Sequence, residues 1–288
     1  MKTRPDRNLG VELVRATEAA AIKGSAWIGR GDKNAADGAA VDAMREFLST
    51  VDFAGTVVIG EGEKDDAPML FNGEVVGNGH GPECDIAVDP IDGTSVTAAG
   101  RAHAISVIAV ADRGSMYNPL DVFYMDKLVT TGVGRGVVSL AQSPADNVRE
   151  LAKALGKPVS DITVAVIDRP RHNALLDEIR SVGARTRLFL DGDVAAGIHA
   201  VTGAGNIDML LGIGGAPEGT VTACAVKALG GYMEGRMAPL NDEQLAKAIA
   251  AGHDLDRIFT QDDLVTSDNT YFVATGVTDG MLLKGVSR

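Results

Sequence analysis

Two short apolar runs of this 288-residue chain end abruptly in acidic, glycine-bearing loops, and that arrangement narrows the fold more than any other feature. The run at residues 56–59 passes into Gly60-Glu61-Gly62-Glu63-Lys64-Asp65-Asp66, and the run at 85–88 into Asp89-Pro90-Ile91-Asp92-Gly93-Thr94. Carboxylates delivered at strand ends are typical of α/β proteins, where a rigid sheet positions loop-borne ligands. Further strand-like runs lie at 104–111 and 122–130, each bounded by Gly, Pro, Asn or Asp. Upstream, Leu9, Leu13, Ala16 and Ala20 predict a helix over residues 9–27. Val41, Met44, Leu48 and Val51 predict a second, with Asp37 near its start as a cap or dipole partner.

From about residue 160 the pattern becomes strand–helix alternation. Strands are predicted at 163–167, 186–190 and 208–213, with helices marked by Leu175, Ile179 and Val182 and by residues 217–229. The expected organisation is α/β in two domains, 1–157 and 158–288, divided near residues 156–158. Hydrophobic residues make up 45%, enough to bury a core without crosslinks, and Cys84 and Cys224 form no metal or redox spacing. With a mixed-charge N-terminus and no apolar run of membrane-spanning length, the expected compartment is the cytoplasm. A net charge of −12 with no basic run excludes nucleic acid and anionic membranes as natural partners. A phosphate ester remains open to an acidic protein if bound cations invert the local field.

The hexapeptide at 89–94 supplies such a place. Proline fixes one backbone angle and glycine permits a tight turn, so Asp89 and Asp92 can converge on one point beside the Thr94 hydroxyl. Hard carboxylates so placed suit Mg²⁺ or Mn²⁺. Glu61, Glu63, Asp65 and Asp66 offer the extra oxygens of a multi-metal site; read alone they are a solvated charge run. The five histidines show no HxH or HExxH spacing, and no GxSxG elbow occurs. His172 reads as solvated or helix-capping, residues 132–136 as a hairpin turn, Trp27 as core.

The hexapeptide preceded by a GEGE loop resembles the inositol monophosphatase and fructose bisphosphatase superfamily. Residues 27–41 (WIGRGDKNAADGAAV), Asp168-Arg169-Pro170-Arg171-His172, Asp191-Gly192-Asp193-Val194-Ala195-Ala196 and Gly212-Ile213-Gly214-Gly215-Ala216-Pro217-Glu218-Gly219 make the chain similar to the class II fructose-1,6-bisphosphatases. The resemblance implies a layered α/β/α/β/α sandwich and Mn²⁺- or Mg²⁺-dependent hydrolysis of fructose 1,6-bisphosphate in a homo-oligomer. It implies metal ligation by Asp37, Glu61, Asp89, Asp92 and Glu218. Substrate contacts follow from Asp92, Gly93, Thr94, Tyr124, Arg169, Pro170, Arg171, Asp191, Gly192, Asp193 and Gly215, with Lys33 beside the phosphates. Thr94, oriented by Asp65, would position the attacking water.

Similar enzymes often carry glutamate at the position of Asp92, and usually continue some tens of residues beyond Gly285-Val286. Three alternatives stay open. Sedoheptulose 1,7-bisphosphate presents the same ketose 1-phosphate end. Phe189-Leu190-Asp191-Gly192-Asp193 has the look of a haloacid-dehalogenase motif. A non-catalytic sugar-phosphate sensor would share the fold.

Overall fold

Alanine at helical spacing lets the first two helices of the computed structural model approach closely. Ala16 and Ala20 of α1 (Leu9–Ser25) and Ala36 and Ala40 of α2 (Lys33–Leu48) are all fully buried. The structure describes residues 9–61, 69–119 and 122–287. Asp32 caps α2, accepting from the Ala35 N–H at 2.9 Å, so the capping expected of Asp37 falls to Asp32. The chain continues through β1 (Ala54–Ile59), β2 (Val75–Val76), β3 (Glu83–Asp92), α3 (Thr94–Ala98) and β4 (Ile105–Asp112). Next come β5 (Tyr124–Thr130), α4 (Pro144–Leu155), β6 (Thr163–Ile167), α5 (Asn173–Ser181), β7 (Arg185–Phe189) and α6 (Val194–Thr202). Then follow β8 (Met209–Gly215), α7 (Ala216–Leu229), β9 (Tyr232–Met237), α8 (Asp242–Ala250), β10 (Phe259–Thr260), α9 (Gln261–Leu264) and β11 (Thr270–Gly276). Among the described residues the fold is mixed α/β with two sheets.

The first unit is discontinuous, comprising Met1–Gly114 and Tyr271–Arg288. Its strands among the described residues are ordered β11-β4-β3-β1-β2, with β1 parallel to β3 and β4 antiparallel to β3. Leu13, Met44, Phe53, Val57, Ile86 and Ile108 fill its core. The second unit, Ser115–Thr270, holds among its described residues six strands in the order β10-β9-β5-β8-β6-β7. There β5 runs antiparallel between β8 and β9, and β6 runs parallel to both β7 and β8. Leu128 of β5 faces the cluster built by Val148, Leu151 and Ile179 of α4 and α5. Its neighbour Lys127 faces the opposite side, as strand alternation requires, where α6 and α7 pack.

The units therefore part at Gly114, and not near residues 156–158. The reason is strand pairing: β5 is hydrogen-bonded on both edges to β8 and β9, so it belongs with the later chain. Residues 132–134 form a short 3₁₀ turn leading from β5 towards α4, which replaces the expected hairpin. Among the described residues no helix is long and apolar enough to cross a membrane.

Gly60, at the exit of β1, has no room for a side chain. A Cβ there would lie 1.9 Å from the Leu70 carbonyl oxygen, a backbone atom that accepts from the Glu61 N–H. Gly60→Ala is accordingly expected to cost about 3 kcal/mol, the upper end of overpacking effects, read as a lowered midpoint in urea unfolding. A loss under about 0.5 kcal/mol would show that the loop after β1 is free to shift.

Candidate functional site

In the first unit the motif at 89–94 is built as the bulged end of a strand, where a tight turn was expected. Asp89 to Asp92 belong to β3, and the pairing with β4 slips register between Asp89 and Asp92. Pro90 has no N–H to give to the ladder, which accounts for the irregularity. Ile91 is the anchor: a Cβ at Gly24 of α1 would lie 2.6 Å from its Cδ1, so the side chain seats in a notch that only glycine leaves open. Gly93 then takes a left-handed conformation (φ 102°) and Thr94 starts α3.

The loop before α2 is tied to that same helix. Gly29 and Gly31 donate backbone N–H groups to the carbonyls of Thr97 and Ala98. This links the segment bearing Lys33, exposed at the first position of α2, and Asp37, one turn further on, to the helix that Thr94 opens. Glu61 follows the Gly60 exit of β1, and its carboxyl is hydrogen-bonded to that of Asp37. Burial pushes Asp37 above the usual carboxylate range, partly offset by that bond. Asp65, together with Glu63 and Asp66, lies outside the described residues.

The second unit gathers the other group around β8. Three glycines of this strand each stand where a polar side chain needs space. A Cβ at Gly212 would lie 3.0 Å from His172 Nε2, one at Gly214 would lie 1.8 Å from Asp193 Oδ2, and one at Gly215 would lie 1.8 Å from Glu218 Oε2. Asp193 holds the N-cap position of α6 without capping it; its Oδ2 instead accepts from Lys127 Nζ at 2.6 Å. Lys127 is completely buried, and nothing in the sequence analysis marked it. The signal was a lone lysine in an apolar strand. Burial raises Glu218, with Lys127 acting in the opposite direction and Asp193 reinforcing it.

Beside β8, Arg171 donates to the Ile213 carbonyl at 2.7 Å, and its guanidinium lies 5.4 Å from the Tyr124 ring centroid. Arg169 pairs with Asp191 at 3.9 Å, and Gly192 between the two aspartates is left-handed (φ 74°). Pro170 starts the short 3₁₀ turn that ends at His172. His172 is buried and hydrogen-bonded through both ring nitrogens, which overturns its reading as a solvated or capping residue. Trp27 is half-buried against the first unit's core, as expected.

The donor chemistry fits a hard divalent cation. Two acidic side chains, Asp37 and Glu61, are held against each other, which at neutral pH demands either a shared proton or a counter-cation. Glu218 Oε2 and Asp193 Oδ1 are shut off from solvent with no hydrogen-bond partner among the described residues. No three His, Cys, Asp or Glu side chains form a ready-made cage among the described residues.

A family model described as bacterial fructose-1,6-bisphosphatase, glpX-encoded, matches residues 7–288. "Fructose-1,6-bisphosphatase 1 class 2" of Escherichia coli (strain K12) is 47% identical, over 98% of this chain and 88% of that protein. "Fructose-1,6-bisphosphatase class 2" of Shigella flexneri gives the same identity and coverage. Among solved structures, an extragenic suppressor from Pyrococcus furiosus shows a TM-score of 0.32 at 15% identity, covering 67% of this chain and 68% of that one, too slight a likeness to carry an argument.

Proposed function

This chain belongs to the bacterial, glpX-encoded fructose-1,6-bisphosphatase family, and from that membership we propose that it hydrolyses the 1-phosphate of fructose 1,6-bisphosphate, giving fructose 6-phosphate and inorganic phosphate. The observation that carries this reading is the match along nearly the whole chain to relatives that bear that activity in their names. The cysteine usage favours a reducing cytoplasm.

Phosphoryl transfer asks a protein mainly to neutralise charge and align a nucleophile. The carboxylates this reading assigns to Mg²⁺ or Mn²⁺ are Asp37, Glu61, Asp89, Asp92 and Glu218. When bound, such a cation neutralises phosphate oxygens and lowers the pKa of water. The chain's own contribution starts with Thr94, whose hydroxyl orients the attacking water from the first position of α3. Lys33, at the start of α2, adds positive charge for phosphate. In the second unit, Arg169 and Arg171 present planar donors suited to phosphate oxygens. Asp191 and Asp193 accept from sugar hydroxyls, and Tyr124 both backs Arg171 and offers its own hydroxyl. Gly93, Gly192, Pro170 and Gly215 shape the backbone that carries these groups.

The test is phosphate release from fructose 1,6-bisphosphate with Mn²⁺, with Mg²⁺, and after chelation. Turnover that disappears on chelation and returns with either ion is the expected result. Cleavage of sedoheptulose 1,7-bisphosphate in preference would keep the chemistry and change the substrate. Release unaffected by chelation would remove the cation assignment.

A further inference from the structure

His172 sits where three pieces of the second unit meet: the end of β6, the turn carrying Arg169 to Arg171, and the end of β8. Its Nδ1 lies 2.8 Å from the Ile167 carbonyl oxygen, and its Nε2 accepts from the Ile213 backbone N–H at 2.9 Å. These two partners fix the tautomer. A backbone N–H can only be met by an unprotonated nitrogen, so Nε2 is bare, and the proton resides on Nδ1, facing a carbonyl. No other neutral form satisfies both groups. Gly212, with φ at 126° and a missing Cβ that would press on the ring, is shaped around this contact.

The same residue, Ile213, accepts from Arg171 through its carbonyl oxygen at 2.7 Å. Ile213 is therefore bonded on one side by His172 and on the other by the adjacent Arg171. Tyr124 closes the arrangement, with the Arg171 guanidinium 5.4 Å from its ring centroid. Arg171 itself is exposed on a short 3₁₀ turn, an element with little intrinsic stability. Its direction is thus imposed through its neighbour.

We propose that His172, as the Nδ1–H tautomer bridging Ile167 and Ile213, is the positioning residue that presents Arg171 to a phosphate group of the substrate. This rests on the reading of Arg171 as a phosphate ligand. Burial pushes the imidazole below the ordinary histidine range, with Arg171 and Arg169 acting in the same direction and Asp126 of β5 and the Ile167 carbonyl opposing them. Asp126 is itself engaged by Arg236 of β9 at 3.1 Å. The sign follows: a group whose folded pKa is depressed contributes stability that is complete above its unfolded pKa. That contribution is lost as pH falls from there through the folded value. A proton on Nε2 would face the Ile213 N–H and break the bridge.

The experiment compares wild type, His172→Gln, His172→Phe, Arg171→Ala and the His172→Phe/Arg171→Ala double variant, using fructose 1,6-bisphosphate with Mn²⁺. His172→Phe is expected to raise KM about tenfold with most of the effect in KM, because it withdraws a binding group's orientation and no reacting group. His172→Gln, which keeps a polar end, should recover part of that. In the double variant the His172→Phe increment should vanish, since an arginine that is absent cannot be misdirected. Nitrogen NMR of the labelled wild type should show Nδ1 protonated and Nε2 bare at neutral pH.

Additive effects in the double variant, or the opposite tautomer, would overturn the proposal. So would an unchanged KM in His172→Phe where Arg171→Ala raises it. If Arg171→Ala leaves KM unchanged while wild type turns over, the phosphate role of Arg171 is what fails. Should His172→Phe not fold, His172→Gln and the wild-type tautomer decide the matter alone.

Discussion

Thr94→Ala lowers kcat for phosphate release from fructose 1,6-bisphosphate by about 10³-fold, in line with removal of a positioned proton-handling group, and shifts KM by less than about threefold. The structure makes this a clean substitution. Thr94 occupies the first helical position of α3, after left-handed Gly93, and the next turn is held by the Thr97 N–H and hydroxyl, both donating to the Gly93 carbonyl. None of those bonds uses the Thr94 side chain, and alanine is a good helix former, so stability should change by less than about 1 kcal/mol. Thr94→Ser should restore most of the rate, since it returns the hydroxyl and omits only a methyl group. Steady-state kinetics with a circular dichroism check suffices. A loss of less than tenfold in a folded Thr94→Ala protein would remove Thr94 from the mechanism.

Lys127→Met destabilises the second unit by about 3–5 kcal/mol, the usual cost of breaking a buried ion pair from one side. Methionine retains much of the lysine stem, so packing beside Gly219 is largely preserved and the loss is electrostatic. Asp193 Oδ2 would be left without its donor, while Asp193 Oδ1 already has none among the described residues. Glu218, held up by burial and pulled down by Lys127, would lose a neighbouring cation that favours its charged form. Pairing the change with Asp193→Leu should recover most of the stability, because removing both charges removes the desolvation problem. The measurement is urea unfolding followed by a probe in the second unit, since two units need not unfold together. A cost below about 1 kcal/mol for Lys127→Met would show the pair to be hydrated.

The α/β character was legible because the strand ends punctuate themselves: Gly60 after β1 and Gly93 after β3 are visible as letters. The helix registers of α1 and α2 could be read from Leu13, Ala16, Met44 and Leu48, all fully buried. The unit boundary could not, because it depends on β5 pairing with β8 and β9, strands far ahead in the chain. Pairing between distant segments leaves no local trace. Lys127 was missed and His172 misread for a related reason: a buried polar residue is recognised by what it bonds to, and a string shows only its apolar neighbours. The glycines of β8 carried the hint, since three in four positions are too many for a strand unless side chains from elsewhere fill the space.

The discontinuity of the first unit also imposes an order on biosynthesis. Strand β11 lies at one edge of that unit's sheet beside β4, and Thr275 within it meets Thr17 of α1 through their hydroxyls at 2.8 Å. Ala104 is likewise held by Thr278, whose hydroxyl accepts its N–H at 2.9 Å. The N-terminal segment thus leaves the ribosome one strand short of its sheet. It waits while Ser115 to Thr270 is translated, on the order of ten to thirty seconds. During that interval the outer edge of β4 has no partner, and unpaired edges invite the wrong one. The continuous second unit has every strand of its own sheet before translation ends, so the nascent chain matures from the middle outwards.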